Sequence, residues 1–588
     1  MAGKIAQVKD LIDRDGLARQ LSSLYENWRL QRFEKEVEWK ELRNYLFATD
    51  TTKTSNSSLP WKNKTTIPKL TQIRDNLHAN YMDALFPNDN WLRWEGYSQD
   101  DVNKKKRKTV EAYMKNKLRQ NEFRQVISQS LYDYIDYGNA FGEAIWVNET
   151  HIDPVTGETI SSYTGPKAVR ISPFDHVFNP TSATYKDSPK YTRYVLGVGE
   201  LKKQLKTRPD LQFDETVFNK LVEIRRSISA FRMEDVDKAE GFLVDGFGTL
   251  QEYYQSGLIE IIEFEGDVYN DATGELLENR IVTIADRTHV LRNIPNPSWI
   301  GRDTKVHVGW RNRPDNLYAM GPLDNLVGMQ YRIDHLENLK ADAMDLVVQP
   351  PLKIVGDVDP FEWAPFAVIH VPEDGDVVPL ANNVGAIAGV NNEIASLLAL
   401  MEEMAGAPKE AMGIRSPGEK TAFEVQQLQN AAGRIFQHKV NKFEVEFLEP
   451  LLNIMFELAK RNLDTADLVK VMDDDLGVVE FMNITKDDLV SKGKLRPIGA
   501  RHYAARAQLM QNMVGIFNSP IGQMIAPHVS AKNLASMVEE YMGFESFDFI
   551  KENAAVFEQA ETQRLMNQVQ QTVETENATP LEENMLGG

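Results

Sequence analysis

From Gly321 to Pro450 the apolar residues keep helical time, lose it, and then resume it. Leu326, Met329, Ile333, Leu336, Leu339, Ala343 and Val347 recur in steps of three and four, which draws one stripe along a helix from about Pro322 to Val347. Asp324, Gln330, Asp334, Glu337, Asn338, Asp342 and Asp345 take most of the other surface. At about 1.5 Å of rise per residue, such a helix is a rod of roughly 39 Å. Residues 348–390 cannot extend it, because Pro350, Pro351, Pro360, Pro365, Pro372 and Pro379 each lack a backbone donor. Short β-like runs lie between these prolines (Leu352 to Val355, Phe366 to Val371, Val377-Val378), so a small sheet-forming tip is predicted. A second helix returns over Asn391 to Met404, with Ile394, Leu397, Leu398 and Met401 on one face, and Gly406 and Pro408 end it. After the loop 407–416, Ser416-Pro417-Gly418-Glu419 forms a capping box with proline in the first turn. The helix it opens runs through Ile435, Val440, Phe443 and Phe447 toward Lys460, with a bend expected at Pro450.

The flanking chain is mixed. Residues 16–47 predict one charged helix with Leu21, Leu24, Trp28, Leu42 and Leu46 inward, 51–58 a loop, and 68–85 a second helix. Residues 100–136 read as helical again and carry the basic run Lys104 to Lys108, which reads as a solvated face with nucleic-acid contact as the alternative. From Gly138 the period shortens: 142–147 and 161–171 read as a strand pair around Asp153-Pro154-Val155-Thr156-Gly157. Two short helices follow near 198–206 and 214–227, then a strand pair at 258–269 and 278–291. A further strand pair is predicted within 468–481, helices over 502–570, and a disordered acidic end at 571–588. The fold class expected is α+β and predominantly helical, in several domains.

The order helix, proline-rich tip, helix, loop, long helix resembles the portal protein of tailed bacteriophages, the ring at one capsid vertex through which DNA passes. The likeness is carried by Met320-Gly321-Pro322-Leu323 before the first helix, the Pro-rich insert, the loop before Gly413-Ile414-Arg415-Ser416-Pro417-Gly418-Glu419-Lys420-Thr421-Ala422, and Arg496-Pro497-Ile498-Gly499-Ala500. These segments look most like the large portals of short-tailed phages. The resemblance implies a portal-like arrangement. Residues 1–137 would be the N-terminal helical part of the wing, 138–320 its α+β part, 321–347 the first stem helix, 348–390 the clip and 391–406 the second stem helix. Residues 407–416 would be the tunnel loop, 417–500 the long kinked helix and its return to the wing, and 501–570 a helical crown. It also implies a homo-oligomer, a twelve-subunit ring in the virion assembled in the host cytoplasm. Its partners would be the major capsid protein, the terminase large subunit and tail adaptor proteins, with double-stranded DNA moving through the channel without sequence readout. Lys409, Arg415 and Lys420 become tunnel-loop candidates for transient phosphate contact, and exposed loop charge is the plain alternative. Phe361, Trp363 and Phe366 become docking anchors of the clip or part of its own core. Leu326, Met329, Ile333, Leu336, Leu397 and Met401 become stem-packing residues.

Charge and chemistry narrow the alternatives. The 588 residues carry a formal charge of −20, against the cationic footprint that tight DNA binding needs, and consistent both with a sliding conduit and with plain solubility. Without cysteine there is no disulfide framework, thiolate metal site or thiol nucleophile. Met1 to Asp15 has no apolar signal core, and no uninterrupted apolar run is long enough to span a bilayer. Gly413 to Thr421 approaches a phosphate-binding loop, but Glu419 stands between Gly418 and Lys420, where its carboxylate would face phosphate oxygens. Asp473-Asp474-Asp475 lacks the spacing of a calcium loop, and the ten histidines include no His-Glu-x-x-His. No catalytic, cofactor or metal site is expected. A P-loop-like motor ATPase and a non-channel scaffold or tail component are the competing readings.

Overall fold

Where the pattern predicts a single N-terminal helix, the chain forms two. A strand at Ile5–Val8 (β1) precedes helices Arg14–Gln31 (α1) and Phe33–Phe47 (α2). Arg32 separates them. Its buried guanidinium donates to the carbonyls of Pro173 (2.9 Å) and Phe174 (3.0 Å) and bonds the Glu36 carboxylate (2.6 Å). A buried guanidinium needs these acceptors, and the helix is interrupted at the residue drawn inward to meet them. The computed structural model describes residues 5–8, 14–87, 91–97, 104–152, 159–207, 211–226, 257–270, 274–296, 304–361, 369–380, 385–405, 435–463, 467–472, 479–484, 489 and 493–498.

Helix Lys69–Leu85 (α3) and strand Leu92–Gly96 (β2) come next. The helical span expected over 100–136 holds two helices, Lys104–Gln120 (α4) and Phe123–Asp136 (α5), divided at Glu122, whose φ of 55° a right-handed helix does not accommodate. In the basic run, Arg107 is paired with Glu111 at 3.0 Å. Strands Asn139–Ile152 (β3) and Thr159–Ile171 (β4) form a long antiparallel pair. They are followed by His176–Phe178 (β5), Lys190–Gly197 (β6), Val198–Thr207 (α6), Glu215–Arg226 (α7) and Leu258–Asn270 (β7). The partner expected at 278–291 is itself a hairpin, Leu276–Ala285 (β8) and His289–Pro295 (β9), turned at Asp286 and Arg287 with φ of 50° and 61°. Three short strands, Lys305–Gly309 (β10), Arg311–Arg313 (β11) and Asn316–Met320 (β12), lead to Gly321.

These strands form a sheet in the order β5-β6-β7-β8-β9, with β1 pairing parallel to β7 beyond the end of β6, and a second sheet β10-β3-β4. The first sheet is covered on both faces. Leu17, Leu21 and Tyr25 of α1 pack on Val177, Tyr191, Ile262 and Phe264, while Leu201 of α6 and Phe218 and Leu221 of α7 pack on Ile259 and Ile261. Alternation along β7 sends odd and even residues to opposite faces, and each large side chain so buried is worth roughly 1.5–3 kcal/mol.

Past Gly321 come helix Val327–Val348 (α8), strands Leu352–Val355 (β13) and Asp376–Pro379 (β14), and helix Gly385–Met404 (α9), which starts earlier than the expected Asn391. A helical stretch at 435–443 widens to a π turn at Glu444–Leu448 and continues as Glu449–Asn462 (α10). The wide turn falls just before Pro450, which lacks the N–H that would close the ladder. Strands Asp467–Met472 (β15) and Val479–Ile484 (β16) form a hairpin, and Gly493–Pro497 (β17) pairs with β2.

The chain is thus mixed α+β. It divides into two compact units: residues 1–102, 117–463 and 492–500 in the first, and 103–116, 464–491 and 501–588 in the second. The β15–β16 hairpin belongs to the second unit, the two sheets and the α8–α9 rod to the first. Among the described residues, no helix is long and apolar enough to cross a membrane.

Candidate functional site

The rod is anchored where Gly138 meets Gly321. Gly138 has φ +69°, and a Cβ on it would lie 2.3 Å from the Gly321 nitrogen, so neither close approach nor turn tolerates a side chain there. Asp324 then fixes the helix entrance, accepting from the Gly321 N–H (3.1 Å) and from Lys35 Nζ (2.8 Å). Leu326, Ile333 and Leu336 are buried and Met329 is half-buried. On α9, Ile394 and Met401 are buried and Leu397 and Leu398 half-buried. The two helices pack on each other, and Lys69, at the start of α3, pairs with Glu402 near the end of α9.

The polar face of α8 does not face water in its first half. Gln330, Asp334 and Asn338 are buried, because the extended segment between Lys62 and Leu70 runs along them as a strap. Asp342 accepts from the N–H groups of Lys62 (3.1 Å) and Asn63 (3.0 Å). Asn338 pairs with both backbone groups of Thr65, accepting at 2.8 Å and donating at 2.7 Å. Asp334 accepts from the Thr66 hydroxyl (2.9 Å) and the Ile67 N–H (3.1 Å), and Gln330 donates to the Ile67 carbonyl (2.6 Å) and accepts from the Leu70 N–H (3.3 Å). The two chains are commensurate: two extended residues advance about 6.6 Å, and four helical residues about 6 Å. Positions 342, 338 and 334 therefore meet positions 63, 65 and 67 in turn.

Toward the tip the rod changes character. Leu339, Met344, Leu346 and Val348 of α8 and Leu400 and Met404 of α9 are exposed, Val348 by 81%. The hairpin β13–β14 pairs Leu352 with Pro379 and Ile354 with Val377, yet Ile354, Val355, Val371, Val378 and Leu380 are exposed. Of the 21 large apolar residues exposed among the described residues, 12 lie between Tyr331 and Met404. Beside the hairpin a hollow of about 500 Å³ is lined by Pro350, Pro351, Leu352, Ile354, Pro360 and Phe361. Phe361 is half-buried in that hollow, while Trp363 and Phe366 lie outside the described residues. Lys409, Arg415 and Lys420, with the whole Gly413–Thr421 segment, also lie outside them.

One cluster has the look of a metal centre. Carboxylate oxygens of Glu143, Glu263 and Glu265 lie within 4.8 Å of one another. The cation already there is Lys305, fully buried, which donates to Glu263 (3.2 Å) and to Glu265. Burial opposes its charge, but Glu265, Glu143 and Glu263 outweigh burial and hold the ammonium well above its usual range. Glu263 is likewise held below the ordinary carboxylate range: burial would raise it, and Lys305 and Arg292 prevail. The cluster reads as an internal ion-pair network. Nothing local points to it: Glu263 and Glu265 sit among apolar residues of one strand, and the lysine that pairs with them lies 40 positions beyond Glu265.

No model of a known protein family matches the chain, and no curated protein matches it.

Proposed function

We propose that this chain is the subunit of a ring-shaped channel, the portal of a tailed bacteriophage, through which double-stranded DNA is packaged and ejected. The observation that carries the reading is the helix–tip–helix rod, whose outer half and tip expose a run of large apolar residues. Exposed apolar surface on this scale marks an interface. Here it lies along two antiparallel helices of about 33 Å and 30 Å, from their 22 and 20 residues. Copies related by rotation would cover it head to tail, and such contacts close into a ring when the rotation divides the circle. Twelve copies is the number that the portal resemblance implies.

In this reading α8 and α9 are the stem, the β13–β14 hairpin is the clip, and the two sheets belong to the wing. The clip, with Phe361 in its hollow, would dock the terminase large subunit during packaging and tail adaptors later, while the major capsid protein surrounds the ring at the vertex. The channel is not an enzyme, and the energy for DNA movement comes from a separate motor. The acidic chain suits a wall that phosphates slide past.

Negative-stain imaging of the purified chain tests this. Rings with a central hole are expected, and a Leu346→Glu/Val348→Glu variant should give folded monomers with unchanged circular dichroism. A wild-type chain that remains monomeric at all concentrations, or a variant that still forms rings, overturns the reading.

A further inference from the structure

The turn Gly309-Trp310-Arg311 gathers cations. Trp310 is buried and fixed at both ends: its backbone N–H donates to the Gly138 carbonyl (2.8 Å) and its indole N–H to the Tyr81 hydroxyl (3.2 Å). The Lys439 ammonium donates to the Trp310 carbonyl and lies 4.4 Å from the centre of the Trp310 ring. The Lys442 ammonium donates to the neighbouring carbonyl, that of Gly309, at 2.6 Å. The Arg311 guanidinium lies 5.2 Å from the same indole. Three cations thus converge on one dipeptide. Among the described residues, Glu446, 45% exposed, lies 3.9 Å from Lys442.

The arrangement contrasts with Lys69, Arg74 and Lys305, each of which meets a carboxylate directly in this chain of 86 acidic and 66 basic residues. An ammonium has three donors; among the described residues each of these two lysines directs one at a carbonyl, Lys442 also has Glu446 at 3.9 Å, and donors remain for a further acceptor. Backbone carbonyls orient the ammoniums without neutralising them. Mutual repulsion is unfavourable unless an anion relieves it, and a tetrahedral oxyanion accepts from several donors at once.

We propose that Arg311, Lys439 and Lys442 form a binding site for a phosphate group, seated against the Trp310 turn. The site lies outside the tip and the exposed rod, and it does not depend on the ring: its failure would leave the channel reading as it stands. The shared chemistry is the phosphate oxyanion, either as a free phosphate or as one link of a nucleic-acid backbone. The electrostatics of the cluster agree with its geometry. Burial first, then Lys442 and Arg311, push the Lys439 amine down to about 8, and a bound phosphate would return it toward its usual range.

The test uses the full chain and trace acylation of amines at pH 7.5, read by peptide mass spectrometry with exposed Lys353 as internal reference. Lys439 is expected to label readily, and inorganic phosphate to slow it. A rise of one unit from about 8 cuts the free-amine fraction at this pH roughly eightfold. Chloride at equal ionic strength should give no such protection, and Lys442→Gln or Arg311→Gln should abolish it while leaving thermal unfolding unchanged. A parallel arm with a short blunt DNA duplex distinguishes the sources. Protection at far lower phosphate concentration by the duplex identifies a backbone site, and equal or weaker protection identifies a free-phosphate site. Phosphate and duplex that protect no better than chloride, or protection that survives both substitutions, would overturn the proposal.

Discussion

Replacing Asn338 by alanine separates the strap from the rod at its centre. Asn338 is fully buried and makes two bonds to the strap, one to each backbone group of Thr65, with a third to the Asp334 carbonyl within its own helix. Only the first two are lost between elements. Thr65 is exposed on its outer side, so water can reach part of what Asn338 leaves, and the full penalty of a buried orphan does not apply. At about 1 kcal/mol for each net hydrogen bond, the strap should lose about 2 kcal/mol. If the strap opens locally, that corresponds to exchange roughly 30-fold faster at the amides of residues 61–67. Hydrogen–deuterium exchange read by mass spectrometry gives the answer peptide by peptide. The signature is acceleration confined to the strap, with the α6 and α7 amides unchanged. Exchange that stays at the wild-type rate in the strap would refute the idea that the polar ladder holds it. Equal acceleration throughout the first unit would refute its local character.

Three other outcomes can be checked, two from the structure and one from the sequence. Burial pushes the Asp334 carboxyl up to about 6 against its hydrogen-bond donors, so the folded chain holds that proton more tightly than the unfolded chain does. Its contribution is present below about pH 4 and is lost as pH rises through 6, so Asp334→Asn should stabilise by ~1–3 kcal/mol at pH 7.5 and bring no gain at pH 4, read by urea unfolding at both. Lys305→Met leaves Glu263 and Glu265 buried without their central cation, which should cost ~3–5 kcal/mol at neutral pH. The loss should shrink at pH 5 as the glutamates take up protons, and a flat pH profile would count against the network. Under the proposed portal function, neutralising Lys409 and Arg415 together should leave rings intact while altering DNA packaging or retention, and a loss of rings would make their role structural.

What could be read in the sequence was whatever depended on neighbours a few residues apart. The rod, its proline break and the β3–β4 hairpin follow from periods of 3.6 and 2, and the prolines mark where the helical period must fail. The errors sit where a distant partner decides. Arg32 looks like any surface residue of an amphipathic helix until carbonyls more than a hundred positions away claim its guanidinium. The strand expected over 278–291 holds no glycine or proline to announce its turn, and Asp286 and Arg287 adopt positive φ in its place. The Arg311–Lys439–Lys442 group draws its members from a turn and a helix that no local pattern joins.

The polar face of α8 is the most instructive case, because a signal for it was present. Gln330, Asp334, Asn338, Asp342 and Asp345 are all amide or carboxylate side chains of modest reach, and no lysine or arginine stands among them. A solvated helix face ordinarily mixes both charges at i, i+4. Short acceptors and amides repeated every four residues can instead meet an extended backbone, since the two rises nearly match. The segment from Pro60 to Pro68 supplies that backbone, held extended by its prolines and offering groups with no ladder of their own. The rod is therefore covered on its polar side near Gly321 by its own chain and left apolar and exposed toward the β13–β14 hairpin. In the proposed ring that asymmetry would divide the rod's roles: the strap pins the inner half to its own chain, and the outer half is left for a neighbouring copy to cover.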